Sequence, residues 1–375
     1  LAVTVGLVFI EPHVSASIIL ILIAAIMMFV GGVDKKWFII AFVIVAVAAI
    51  AIFAMRSYND YRYKDSSDSS SPAYYQDVTD ISLYPKEIEG VELIYLDERS
   101  LQGFRMTPIK KLYPGVVVCF GGSEGSPNFE TAQRLAQEGY ETLALFMFGR
   151  DHQSKTLARI PLEQFEDVLD YLQKNITDGG PISVIGASKG AEYALNLADK
   201  YPEISNLILL APSSYNFAGL DFQDYGSSWT YQGQELPYID IKKGSFTAFI
   251  GNMIYPLVVK SPVRYKETYT SAIEADVSRQ QKMIPMKDIQ ANLLLIAGEA
   301  DELWDSAKMA REIKEQKPDA QIHLYKEAGH LFSGNGILTT LSMRIATGGS
   351  TTGNQKAQEK SEKVIDDFLR VHHTP

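Results

Sequence analysis

The sequence predicts an α/β fold, a mainly parallel, doubly wound sheet carrying a long insert and preceded by one or two transmembrane helices. Three observations predict it. From Val91 to the C-terminus, short apolar runs alternate with stretches of helical periodicity. Residues 213–286 break that rhythm without a clear strand–helix unit. Two uncharged apolar segments occupy most of the first 55 residues.

The apolar segments come first. Residues 15–32, SASIILILIAAIMMFVGG, and residues 37–55, WFIIAFVIVAVAAIAIFAM, carry no charge. Each is long enough to cross a hydrocarbon core of about 30 Å as a helix. Helix is the form required there, because backbone polar groups find no partners in lipid. Only Val33-Asp34-Lys35-Lys36 separates the two. Cytoplasmic retention of Lys35 and Lys36 would put the remainder of the chain outside. Arg56, Arg62 and Lys64 pull the other way, diluted by Asp60 and Asp65. The expectation is a membrane-anchored protein with its main domain extracytoplasmic. The stretch from Val33 also reads by itself as a signal anchor, and a product starting there would span once. Residues 56–83 include the polar, Ser-rich DSSDSSSPAYYQD and read as a tether. The soluble domain is then expected over residues 84–375.

Within that domain, VELIYLD and LQGFRMTP read as a lead-in hairpin. GVVVCF is a continuous apolar run, as expected of a strand buried on both faces. NFETAQRLAQEGY is helical in spacing, and ETLALFMF is the next strand. PLEQFEDVLDYLQKN starts with Pro161 and presents Phe165, Val168, Leu169 and Leu172 as one stripe. ISVIG, NLILLAP, NLLLIAG and AQIHLY are further strands. Helices are expected at 189–201, SAKMAREIKEQ and KAQEKSEKVIDDFLRVH. The excursion at 213–286 is rich in aromatics, among them Tyr215, Phe217, Trp229, Tyr231, Phe246, Phe249 and Tyr255. It is expected to be a lid, with Trp229 and Tyr231 as lining for a substrate pocket.

Composition excludes several classes. A formal net charge of -10 with no basic run argues against nucleic acid as a partner. Cys119 is the single cysteine and lies in an apolar run, so no internal disulfide or Cys-rich metal site is expected. The sequence lacks HExxH, a phosphate-binding loop ending G-K-[ST], and G-x-G-x-x-G. Neither metal nor cofactor is expected.

The chemistry is expected around GASKG, residues 186–190. Ser188 falls between an apolar strand and a helix, on a turn whose flanking glycines allow close approach of chain segments. That junction lies at the carboxyl edge of the sheet, where α/β folds place their ligands. A serine hydroxyl needs a base. His330, in KEAGHLF just after the last strand, is on the same edge. The base needs an orienting acid. Asp301 is three residues past the strand-ending Gly298, with Glu299 and Asp305 open as alternatives. The chain order Ser188, Asp301, His330 is that of an α/β-hydrolase. An acyl-transfer site also needs N–H donors for an oxyanion. These are expected from Lys189 and from the glycine loop GGSEGSP, at Gly122 and Ser123, with Glu124 bracing the loop.

Together PGVVVCFGGSEGS, VIGASKGAEYAL, SSWTYQGQELPYI, IAGEADELWDS and AGHLF resemble the C-terminal catalytic domain of the acyl-CoA thioester hydrolase and bile acid-CoA:amino acid N-acyltransferase family. The resemblance covers residues 84–372. It implies an α/β-hydrolase fold, a nucleophile–Asp–His triad at Ser188, Asp301 and His330, and acyl transfer from a thioester to water or an amine. Amine-conjugating members carry cysteine at the nucleophile position, so the serine here favours water. The animal enzymes place a β-sandwich domain ahead of the hydrolase, whereas residues 56–114 are too short for one. An outward-facing domain would not meet cytoplasmic acyl-CoA, so a lipid ester or other acyl ester is the second expectation. A non-catalytic binding module is the reading from another class, and the complete triad and glycine loop speak against it.

Overall fold

The computed structural model describes residues 34–64, 72–221, 223–340 and 343–374, with 23, 27, 31 and 32. The expected first span, 15–32, falls almost wholly outside them. The chain divides into two compact units, residues 1–63 with 258–261, and 64–257 with 262–375.

The first unit is built on helix α1 (Lys35–Arg62), whose start is capped by the Asp34 carboxylate accepting from the Lys36 N–H at 3.1 Å. It is the one helix among the described residues that is long and apolar enough to cross a membrane. Ile39, Phe42, Val45, Ile50 and Phe53 are exposed along it. At 28 residues it runs past the expected 37–55, to Arg62. Within the same unit the Asn59 carboxamide donates to the Val259 carbonyl at 2.8 Å.

The second unit holds an eight-stranded sheet. Its strands are β1 (Val91–Glu98), β2 (Leu101–Pro108), β3 (Val116–Phe120), β4 (Thr142–Leu145), β5 (Ile182–Ala187), β6 (Ile204–Leu210), β7 (Asn292–Gly298) and β8 (Gln321–Tyr325). Their order across the sheet is 1-2-4-3-5-6-7-8. Only the pairs made by β2 are antiparallel. The pairs β3–β4, β3–β5, β5–β6, β6–β7 and β7–β8 are parallel. Successive side chains alternate between the two faces. Val116, Val118, Val184, Leu207, Leu209, Leu293 and Leu295 fill one core. Val117, Cys119, Ile185, Ile208, Leu294 and Ile296 fill the other. Continuous apolar runs are thus what a sheet covered on both faces requires.

Helices α2 (Phe129–Gln137) and α6 (Thr351–His372) bury Phe129, Leu135, Ile365 and Phe368 in the second core. Helices α3 (Gln164–Asn175), α4 (Lys189–Lys200) and α5 (Ser306–Gln316) bury Phe165, Leu195 and Ile313 in the first. The parallel order brings the carboxyl ends of β5, β7 and β8 to one edge, and with them the segments carrying Ser188, Asp301 and His330.

Two expectations change. The tether expected over 56–83 includes packed residues among those described. Its first residues continue α1, and Tyr74 is buried, stacked on Tyr84 at 4.5 Å and packed near Phe129. A large aromatic ring contributes substantially to the core it joins. The excursion at 213–286 also divides in character. Tyr215, Phe217, Trp229 and Ile239 are buried, so its first third packs as core. Residues 246–259 form a short apolar helix with many exposed side chains. A hairpin of Ile337–Thr339 and Arg344–Ala346 was not expected from the sequence.

Candidate active site

Strand β5 ends at Ala187 and α4 begins at Lys189, so Ser188 makes the whole turn. It sits at φ 55° and ψ -119°, a conformation costing a non-glycine residue about 1–3 kcal/mol. Its N–H donates to the Leu210 carbonyl at 2.9 Å, and its own carbonyl accepts from Ala191 at 2.9 Å. These bonds to β6 and α4 hold the strained residue in place. The flanking glycines are required by space. A Cβ at Gly186 would lie 2.2 Å from the Gly190 carbonyl oxygen, and one at Gly190 would lie 2.0 Å from that of Gly121.

His330 Nε2 lies 2.8 Å from Ser188 Oγ. His330 Nδ1 lies 2.8 Å from Asp301 Oδ2. A carboxylate only accepts, so Nδ1 carries the ring proton and donates it in a hydrogen bond, leaving Nε2 free to accept from the hydroxyl. Asp301 is fixed in turn. Its Oδ1 accepts from the N–H groups of Leu303 at 2.8 Å and Trp304 at 3.2 Å, and its Oδ2 accepts from Ser306 Oγ at 2.6 Å. The Trp304 ring lies edge-on to His330 at 5.4 Å. Asp301 and His330 are buried while Ser188 is half-buried.

The alternatives for the acid are engaged elsewhere. Glu299 pairs with Arg311, and Asp305 caps α5 through the Lys308 N–H at 3.3 Å. Sequence reasoning missed Ser306 and Trp304. A-D-E-L-W-D-S places an aspartate two and three residues ahead of N–H groups and ahead of a helix start, a spacing that favours such side-chain turns.

For the oxyanion, Lys189 is the first residue of α4, so its N–H has no acceptor within the helix. Gly122 is close, since a Cβ there would lie 3.4 Å from Ser188 Cβ. Its N–H, however, already donates to Glu124 Oε1 at 3.0 Å. That oxygen also accepts from Ser126 Oγ at 2.5 Å. The Gly122 N–H is thus engaged within its own loop, while Ser123 is exposed.

The two residues expected to line a pocket are placed otherwise. Trp229 is fully buried and donates from Nε1 to Glu192 Oε1 at 2.8 Å. Glu192 also accepts from the Phe217 N–H at 3.0 Å and from Lys189 Nζ at 2.7 Å. Burial pushes the Lys189 ammonium pKa down and the Glu192 carboxyl up, and the donors around Glu192 oppose that rise. Trp229 thus ties the insert to the helix behind the serine, because an indole N–H and a buried carboxylate each need a partner. Tyr231 packs with its ring 5.1 Å from Lys200 Nζ, at the far end of α4. Twelve helical residues at 1.5 Å each put that end about 18 Å from Ser188. Among the described residues no group of three or more His, Cys, Asp or Glu is arranged to hold a metal.

The strand order and the strained serine between β5 and α4 define an α/β-hydrolase. The family described as BAAT / Acyl-CoA thioester hydrolase C terminal matches residues 160–375, more than half of the chain, and the chain belongs to it. Bile acid-CoA:amino acid N-acyltransferase of Mus musculus is 26% identical over 300 residues, covering 76% of this chain and 66% of its own length. Acyl-coenzyme A thioesterase 6 of Homo sapiens is 26% identical over 281 residues, covering 71% and 62%. The chain thus spans less than two thirds of the length of these relatives. Among solved structures, the Pyrococcus furiosus esterase Pf2001 aligns with a TM-score of 0.44 and 16% identity, covering 76% of this chain and 93% of its own.

Proposed function

We propose that the chain is a membrane-anchored serine hydrolase that cleaves an acyl thioester or ester. The observation that carries this is the unbroken chain from Ser188 Oγ to His330 to Asp301, with both steps at 2.8 Å. In this reading His330 Nε2 takes the Ser188 proton as Oγ attacks the acyl carbonyl. The Lys189 and Ser123 N–H groups hold the oxyanion, an arrangement worth roughly 10²–10³ in rate per donor. His330 then gives its proton to the departing thiol or alcohol. Water, deprotonated by the same nitrogen, releases the acid and restores the serine. Asp301 holds the ring and stabilises its charged form.

Support for a thioester comes from the names of the relatives, which include acyl-coenzyme A thioesterases. Serine as nucleophile favours water over an amine as acceptor. Helix α1 supports an anchor by its length and composition. The Lys35–Lys36 pair ahead of it supports an extracytoplasmic domain, for which an acyl ester is the second substrate reading. Residues 84–375 would then be the catalytic domain, with part of 213–286 covering the site.

The test is a fluorophosphonate probe on the full chain in detergent. Wild type is expected to label at Ser188 and Ser188→Ala not at all. Folded wild type that stays unlabelled would overturn the hydrolase reading in favour of a binding module. Comparing acyl-CoA with p-nitrophenyl esters then separates thioesterase from carboxylesterase. Protease access in intact cells assigns the side of the membrane.

A further inference from the structure

Residues 246–259, FTAFIGNMIYPLVV, are helical throughout and contain no charged residue. The helix passes through a π turn, Ile250–Ile254, directly before Pro256. A proline supplies no N–H, and widening the turn ahead of it rearranges the carbonyls it would leave unpaired. Phe246, Phe249, Ile250, Leu257 and Val258 are exposed, whereas Ala248 and Val259 are buried. One face is thus seated and the opposite face is apolar and open. A soluble surface rarely keeps so many large apolar side chains together without a partner.

We propose that this face lies in the lipid surface of the membrane that anchors the chain, so that acyl substrates reach the site from the bilayer. The inference rests on the anchored reading of α1. Three observations favour lipid over a protein partner. Fourteen helical residues rise about 21 Å, too short to cross the core but fitted to lie along its surface. Val258, on the exposed face, and Val259 belong to the same compact unit as α1, while residues 246–257 belong to the other, and the Val259 carbonyl accepts the Asn59 hydrogen bond. The helix is preceded by the exposed Lys242 and Lys243, which suit anionic headgroups although the chain as a whole is acidic.

The test uses spin labels on the full chain in vesicles of phosphatidylcholine and phosphatidylglycerol. Labels go on Leu257→Cys, on Val43→Cys in α1, and on the fully exposed Val277→Cys. Native Cys119 is buried and its thiol is pushed up to about 12 by burial, so it stays unlabelled. The label at 257 is expected to collide with oxygen several-fold more, and with a water-soluble nickel chelate several-fold less, than the label at 277. A label at 257 that behaves like 277 overturns the proposal. So does one shielded from both relaxants, which would mean that protein covers this face. The label at 43 reports separately on the anchor: in water, it sinks the anchored reading whatever 257 does. As a functional check, combining Phe246→Ser, Leu257→Ser and Val258→Ser should slow hydrolysis of a long-chain ester held in vesicles by about tenfold or more. Turnover of a short water-soluble ester should not change. Equal effects on both esters would count against lipid delivery.

Discussion

Among the described residues, two serine–histidine pairs stand at opposite ends of one strand. At the carboxyl end of β5, Ser188 Oγ meets His330 Nε2 at 2.8 Å. Near its start, Ser183 Oγ meets His373 Nε2 at 2.6 Å. By that distance alone they are equivalent. Their surroundings are not. His330 is oriented by the Asp301 carboxylate, whereas His373 Nδ1 donates to the Pro114 carbonyl at 2.7 Å. A neutral carbonyl fixes a tautomer but stabilises an imidazolium far less than a carboxylate does. Ser188 is half-buried at a strained turn beside a helix start, while Ser183 is fully buried within the strand and also accepts from Asn206 Nδ2 at 3.0 Å. The first pair has a half-buried hydroxyl and a carboxylate behind the ring, which the proposed acyl transfer requires. The second is a polar bolt joining the C-terminus to the sheet.

The largest effect should separate the pairs outright. Ser188→Ala is expected to lower kcat by on the order of 10⁴–10⁶-fold with melting little changed. Ser183→Ala should leave kcat within a factor of about two and lower stability by about 1–3 kcal/mol, since it leaves buried partners unpaired. Loss of turnover in the Ser183 variant at a temperature where it is folded would break the comparison. Next in size is Asp301→Asn, which keeps the shape but disturbs the tautomer of His330. A fall of about 10³–10⁴-fold is expected in the rate of serine acylation by a fluorophosphonate. A residual rate near wild type would shift the acid role to Glu299 or Asp305.

A smaller effect tests the oxyanion loop, which the bolt lacks. Glu124 holds the Gly122 N–H and the Ser126 hydroxyl on one oxygen. Glu124→Ala should release the loop and lower kcat by about 10–100-fold with less change in KM. Glu124→Gln keeps an accepting oxygen and should restore most of the loss. A glutamine variant as slow as the alanine would mean that the charge, not the positioning, matters.

The two sites were unequally legible. Ser188, Asp301 and His330 stand at strand ends, and strand ends show in apolar periodicity. The sheet was readable for the same reason, since runs such as VVVCF and NLLLIAG fill two cores at once. What escaped depends on tertiary geometry. Trp229 sits in an aromatic-rich excursion whether it faces substrate or core, and only its bond to Glu192 decides. Gly122 looks like any loop donor until Glu124 folds back onto it. His373 lies just past the last expected helix, and nothing local says that α6 returns it to Pro114 and β5.

The subtlest distinction between the pairs is in pH. Burial holds the His373 pKa below its ordinary value near 6.5, with His372 and Lys111 adding to the depression. The Pro114 hydrogen bond and Asp178 oppose it. His373 is thus folded as a neutral ring, and the unfolded chain binds its proton first as pH falls. Its contribution is full above about pH 6.5 and drains away as pH drops towards the folded value, by at most about 1.4 kcal/mol per pH unit. Melting followed from pH 8 to pH 5 should therefore slope downwards on acidification. His372 and His323, also depressed by burial, add to that slope, so only part of it belongs to the bolt. Replacing His373 with glutamine, which can both donate and accept, should lower Tm at pH 8 and flatten the slope below pH 6.5. If the variant melts with the wild-type slope, His373 is not the group being protonated, and the bolt holds by packing rather than by its neutral ring.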